Sequence, residues 1–247
     1  MKKLLVATVA LAAGVASASI VSSSVVGYTT NTTTGKKYLC LGPAFTSVAG
    51  TAGNFQLKDF VPNGFNYEGD ELRIINPASG GTLVALSYIW ESDGFGVTGW
   101  WDMSSGDEYN DRELQLGTGF KTSYNTKGDI TAQNSGLVYT EAPSIDCTGN
   151  KYQVVPNPLP YAVKFKDITV EGFDYEKDEF RIILPSSGGV DVVLSYLYEA
   201  DGFGVTGWWD MSSGDEYNNL ELPMGGGLLL SSGSKTVVVT FPKAIED

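Results

Sequence analysis

From Tyr38 onward, short apolar runs alternate with turn-forming clusters of Gly, Asn, Asp and Pro. Beyond the N-terminal leader, no stretch carries the 3.6-residue apolar period of an amphipathic helix, so the pattern predicts an all-β chain. Strands are expected near Tyr38–Leu41, Phe55–Phe60, Glu71–Ile75, Leu83–Trp90, Gly99–Met103 and Glu113–Ser123. A second series is expected near Tyr152–Val155, Val163–Thr169, Phe180–Leu184, Val190–Tyr198, Gly207–Met211 and Leu220–Leu230, closed by Thr236–Phe241. Pro77–Gly81 and Pro185–Gly189 read as hairpin turns, in which Pro presets φ and Gly supplies positive φ.

The two series are copies. Residues 93–110, DGFGVTGWWDMSSGDEYN, recur without a change at 201–218, an offset of 201 − 93 = 108 residues. The register extends without a gap back to Gly64-Phe65 and Gly172-Phe173. So long a period marks a duplicated small domain rather than a solenoid repeat of about 20–50 residues. The copies also report which side of a strand faces inward. Val84, Leu86, Tyr88 and Trp90 are matched by Val192, Leu194, Tyr196 and Tyr198, whereas the alternate face, beginning at Leu83, admits Asp191. The first set is therefore assigned to the core.

Two tandem sandwich- or barrel-like modules follow, placed at 35–128 and 136–247, each of about 95–110 residues and long enough for its own core. The polar stretch Asn125–Ser135 is read as the boundary between them, and Thr46–Asn54 as a surface insertion in the first. Residues 19–34, rich in Ser and Thr, are read as an extended lead. Ahead of it, Met1-Lys2-Lys3, an apolar run and Ala16-Ser17-Ala18 form a signal-peptide pattern over residues 1–18. The apolar run is shorter than the roughly 20 residues needed to cross a bilayer, so an exported chain (extracellular, cell-surface or periplasmic) without a transmembrane segment is expected.

Charge and composition narrow the chemistry. The chain has 16 Lys+Arg against 29 Asp+Glu and no His. Removal of Lys2 and Lys3 with the leader leaves 14 − 29 = −15, a field that disfavours nucleic acid and anionic lipid. Without His, neither a Ser-His-Asp triad nor a His-zinc site can be assembled. Cys40 and Cys147 are the two cysteines, an even count in an exported chain, and a disulfide between them would staple one module to the other.

The repeated stretch holds the remaining candidates. Trp100-Trp101 and Trp208-Trp209 are adjacent pairs, so on a strand one ring of each pair points away from the core. That outward ring is either a platform for a sugar or a partner side chain, or a packing residue under a loop. Asp102, Asp107 and Glu108, with copies Asp210, Asp215 and Glu216, are hard oxygen donors in a short loop and candidate calcium ligands. Their spacing is not that of an EF-hand, and solvated turn acids are the alternative. Paired carboxylates also admit a glycoside hydrolase, which needs two acids about 5–9.5 Å apart, one with a raised pKa. No activated nucleophile is visible, and the G-x-G-x-x-G spacing at Gly94–Gly99 lacks a βαβ setting.

Ser24-Val25-Val26-Gly27-Tyr28, the Gly99-Trp100-Trp101 turn and Gly117-Thr118-Gly119-Phe120 resemble patterns in secreted β-rich proteins of the Verrucomicrobia–Lentisphaerae group, where V-V-G-Y follows the signal peptide and G-W-[YW] precedes a G-x-G-F strand. The second copy departs from that pattern, with Gly225-Gly226-Gly227-Leu228 in place of G-x-G-F. The resemblance implies an exported β-rich protein and no activity or functional residues. The resulting expectation is a non-enzymatic protein of duplicated β modules acting by binding or structural association, with carbohydrate or another surface protein as partner. A calcium-supported carbohydrate-binding module and a carboxylate hydrolase are the alternatives.

Overall fold

In the computed structural model, the residues described are 26–34, 37–45, 54–76, 82–115, 117–125, 128–139, 141–148, 151–183, 191–233 and 236–244. The expected signal peptide over 1–18, most of the Thr46–Asn54 stretch and the expected turns at Pro77–Gly81 and Pro185–Gly189 lie outside them. The described chain is all-β: strands are joined by loops and single 3-10 turns, and no α-helix occurs among these residues.

The first eleven strands are Val26–Thr34 (β1), Lys37–Leu41 (β2), Asn54–Gln56 (β3), Val61–Asn63 (β4), Glu71–Asn76 (β5), Thr82–Ile89 (β6), Gly99–Asp102 (β7), Asp107–Glu108 (β8), Glu113–Gln115 (β9), Phe120–Tyr124 (β10) and Asp129–Leu137 (β11). They form a six-stranded sheet in the order β2-β10-β5-β6-β7-β8, a three-stranded sheet β1-β11-β4 and the pair β3-β9. The next eleven are Ser144–Thr148 (β12), Lys151–Pro156 (β13), Val163–Lys164 (β14), Thr169–Glu171 (β15), Asp178–Ile183 (β16), Asp191–Leu197 (β17), Gly207–Asp210 (β18), Asp215–Glu216 (β19), Glu221–Leu222 (β20), Gly227–Ser232 (β21) and Thr236–Thr240 (β22). Their sheets run β13-β21-β16-β17-β18-β19, β12-β22-β15 and β14-β20, the same order strand for strand.

Several segments differ from the sequence reading. Within the Ser/Thr-rich lead, Val26–Thr34 is extended, and it pairs along its length with Asp129–Leu137, a partner the sequence reading did not give it. That partner covers most of the stretch read as a polar boundary. Both strands consist largely of Thr, Asn, Ser and Gly, which hides them from an apolar-periodicity test, although Thr suits a pleated surface. The runs read as single strands over Phe55–Phe60 and Val163–Thr169 are each broken by a 3-10 turn, Leu57–Asp59 and Phe165–Asp167. Glu113–Ser123 and Leu220–Leu230 are likewise each two strands with a Gly-containing turn between them.

Each half has its own core. In the first, Leu39, Leu72, Ile74, Leu86, Trp100 and Phe120 of the six-stranded sheet pack with Phe55, Leu114, Ile130 and Ala132 of the other two sheets. The second gathers Val155, Phe180, Leu194, Trp208, Leu228 and Leu230 with Val163, Leu222, Val237 and Val239. The inward face assigned to the central strands holds: Leu86 and Tyr88 are buried with Val84 and Trp90 against them, as are Leu194 and Tyr196 with Val192 and Tyr198. These cores are thick with aromatic rings, and Trp100 meets Phe65 and Tyr88 edge to face at centroid distances of 5.6 and 5.1 Å.

The halves join through the opposite faces of their large sheets. Cys40 and Ile75 meet Val154 and Leu229 in a small apolar cluster. The Gly42 amide donates to the Gly225 carbonyl at 3.0 Å and the Gly119 amide to the Val154 carbonyl at 3.1 Å. Gly119 is required there, because a Cβ would lie 2.4 Å from Val154 Cγ1 and 2.9 Å from the Leu41 carbonyl oxygen.

The expected disulfide is not formed. Leu39 and Leu41 take the core face of β2, which turns Cys40 to the opposite face and into the junction. Cys147 instead lies within the second core, and both residues are buried thiols not bonded to each other.

Candidate functional site

The repeated stretch folds into a self-supporting loop at the β6-β7-β8 end of one sheet and the β17-β18-β19 end of the other. In the first copy, Asp93 accepts a hydrogen bond from the Trp90 amide at 2.8 Å and closes a 3-10 turn over Glu91–Asp93. Thr98 Oγ1 accepts from the Glu91 amide at 3.0 Å, tying the far end of the loop back to its start. Gly99 then opens the strand with φ 136°, and its α-carbon rests on the Asn110 carboxamide, where a Cβ would lie 2.1 Å from Oδ1. Asn110 Oδ1 accepts from the Trp100 amide at 2.8 Å, and its Nδ2 donates to Glu108. The second copy repeats these contacts through Asp201, Thr206, Gly207 and Asn218.

β-Strand alternation then separates the tryptophans. Trp100 and Trp208 point inward and are fully buried. They are core residues, as strand alternation requires of one ring in each pair, and as candidate ligand-binding residues they are not accessible. Trp101 and Trp209 point outward and are half-buried, each opposite a Ser of the neighbouring strand, Ser87 and Ser195. The indole Nε1 of each outward ring is buried without an acceptor among the described residues, so the ring is held by packing rather than by a hydrogen bond.

Around Trp209, Leu197, Phe203, Val205, Asp210, Met211 and Gly214 enclose a shallow groove of about 250 Å³. Leu197 forms its buried floor, while Phe203 and Met211 are 46% and 47% exposed. Ile89, Phe95, Val97, Trp101 and Met103 occupy the same places in the first copy, with Phe95 49% and Met103 47% exposed. Phe95 and Phe203 are each steadied by a tyrosine, Tyr67 and Tyr175, edge to face at 5.3 Å. The sequence reading missed Phe95, Met103, Phe203 and Met211. Their signal was available, since they are apolar residues inside a Gly/Ser/Asp loop that the chain carries twice.

The carboxylates do not gather. Asp102 Oδ1 accepts from the Ser104 amide at 2.8 Å, the Ser104 hydroxyl at 2.6 Å and the Ser105 amide at 3.3 Å. Asp210 does the same with Ser212 and Ser213. Hydrogen bonds from the Ser104 side chain and backbone hold Asp102 below the ordinary carboxylate value, and the Ser212 hydroxyl does so for Asp210. Glu108 and Glu216 are engaged by Asn110 and Asn218. Among the described residues no three acidic, His or Cys side chains converge as a metal ion would require; Asp102 and Asp210 instead close turns with their serines, and Glu108 and Glu216 hold asparagines.

Two deeply buried acids are also structural. Asp70 accepts from the Asn66 and Asn125 amides at 2.8 and 2.7 Å, and Asp178 accepts from the Asp174 and Gly233 amides and the Ser232 hydroxyl. Each ties the turn ahead of β5 or β16 to the end of the adjacent strand, β10 or β21. No family model matches the chain, and no curated protein and no solved structure matches it.

Proposed function

We propose that this is an exported, non-enzymatic protein of two homologous, sandwich-like β modules produced by tandem duplication, and that it works by binding or structural association at a surface. The observation that carries the reading is the pair of exposed apolar clusters, Phe95 with Met103 and Phe203 with Met211, set at the same places of an 18-residue stretch that is identical in both copies. Core positions outside the stretch have drifted between the copies, with the buried Leu72 against Phe180 and the partly buried Trp90 against Tyr198. The stretch itself, its exposed Phe and Met included, did not change. Exposed apolar side chains fixed on a rigid loop are the usual mark of a contact surface.

Catalysis has less support. A glycosidic general acid needs a raised pKa, and Asp102 and Asp210 are shifted the other way by their serine partners. The common strand order of the two halves supports the duplication, and the signal-peptide pattern supports export.

Co-sedimentation with the isolated cell envelope of the producing organism tests the binding reading. The wild-type protein is expected in the pellet, and a variant carrying Phe95→Ser, Met103→Ser, Phe203→Ser and Met211→Ser in the supernatant. Equal sedimentation of the two would overturn it.

A further inference from the structure

The groove around Trp209 and the matching residues of the first copy share a second property, which points to the partner they fit. Between Glu199 and Asn218 the chain places Glu199, Asp201, Asp210, Asp215 and Glu216 and not one Lys or Arg. Between Glu91 and Asn110 it places Glu91, Asp93, Asp102, Asp107 and Glu108, again with no base. Glu199, Asp215 and Glu216 are exposed, as are Glu91, Asp107 and Glu108. The acids lie on the loop and hairpin that also carry Phe203, Trp209 and Met211, or Phe95, Trp101 and Met103. Each loop and hairpin that carries the apolar residues thus presents an acidic rim with no basic residue of its own.

We propose that each groove docks a cationic peptide segment of a partner protein, inserting one apolar side chain while flanking Lys or Arg side chains meet the acidic rim. This rests on the reading of the grooves as binding surfaces and adds the chemistry of the occupant. Three features lead to it. Leu197, Val205 and Trp209 line an opening of about 250 Å³, which suits a single large side chain rather than an extended hydrophobic face. Met and aromatic residues at the mouth adapt to differently shaped apolar groups. The rim would repel an acidic segment and leave a neutral one without electrostatic gain, so charge supplies selectivity and the apolar contact supplies residence. Because the stretch is present twice, each chain takes up two segments.

The capped hexapeptide KKLFKK is the probe, with EELFEE and KKSSKK as controls, titrated calorimetrically and by tryptophan fluorescence, since Trp101 and Trp209 line the grooves. The expected result is two equivalents of KKLFKK per chain, bound at least about tenfold more tightly than either control, a difference of about 1.4 kcal/mol. The Phe203→Ser/Met211→Ser variant should lose one equivalent and the four-site variant both, with circular dichroism spectra unchanged. Equal affinity for KKSSKK would mean general attraction to an acidic protein and would overturn the proposal. Equal affinity for EELFEE, still lost in the four-site variant, would overturn the cationic partner but leave the grooves as binding surfaces. Binding unaffected by the four substitutions would overturn both. Absence of KKLFKK binding, with the wild-type protein still sedimenting with the envelope, would overturn the partner class alone.

Discussion

Trp100 and Trp208 are the same residue in two copies, yet they are held differently. The Nε1 of Trp100 donates to the Phe60 carbonyl at 2.9 Å, whereas that of Trp208 is buried with no acceptor among the described residues. Replacement by Phe removes a made hydrogen bond in one case and an unsatisfied donor in the other. Trp100→Phe should therefore cost more than Trp208→Phe by about 1 kcal/mol, read from denaturant midpoints, beyond the packing loss common to both. Asp102 and Asp210 give a pH dependence. Their folded pKa is depressed, so their stabilisation is complete above the unfolded value of about 3.9 and is lost as pH falls through the folded one. An Asp102→Asn/Asp210→Asn variant should show a flatter fall of Tm below about pH 4 than the wild type. Burial pushes the Cys147 thiol up to about 12, so it is not a thiolate at neutral pH. Cys147 should resist alkylation in the native protein, and both cysteines should react once it is denatured without reductant. Fewer than two thiols would restore the disulfide.

At the scale of elements, the loop that presents the groove depends on Asn110 and Asn218. Each accepts from a strand amide, donates to a rim glutamate and supports the glycine that begins the strand. Asn218→Ala should lower stability by about 1–3 kcal/mol, through the amide left without its acceptor, and should weaken envelope binding as the loop loosens. Strands with apolar alternation, such as β6 and β17, were legible in the sequence together with their inward faces, because burial on one side forces a two-residue period. The Thr- and Asn-rich strands β1 and β11 were not. Their existence depends on pairing with each other across roughly a hundred residues, which no local window contains. The site divides along the same line. The repeat marks its position, and the two-residue period of a strand is enough to send Trp100 and Trp101 to opposite faces. The sequence left the role of Asp102 open because an acid in a Ser-Gly loop can turn to an ion or to its own backbone; the fold shows it bonded to Ser104 and Ser105.

For the whole molecule, the junction between halves rests on close backbone approach at Gly42 and Gly119 and on two apolar clusters, Cys40 and Ile75 with Val154 and Leu229, and Ala44, Phe45 and Val138 with Met224 and Ala244. Gly119→Val would force the Val154 side chain and the Leu41 carbonyl away, and it should loosen the junction and bring the halves closer to unfolding independently, read by calorimetry, while each half keeps its own core. The repeated surface lies away from this junction, so such a variant should still bind the envelope. The central claim is that the identical stretches are the contact surface, and amide hydrogen exchange of the protein free and bound to isolated envelope tests it most directly. The account predicts added protection in both 91–108 and 199–216. Protection confined to other segments, with these two unchanged, would contradict it.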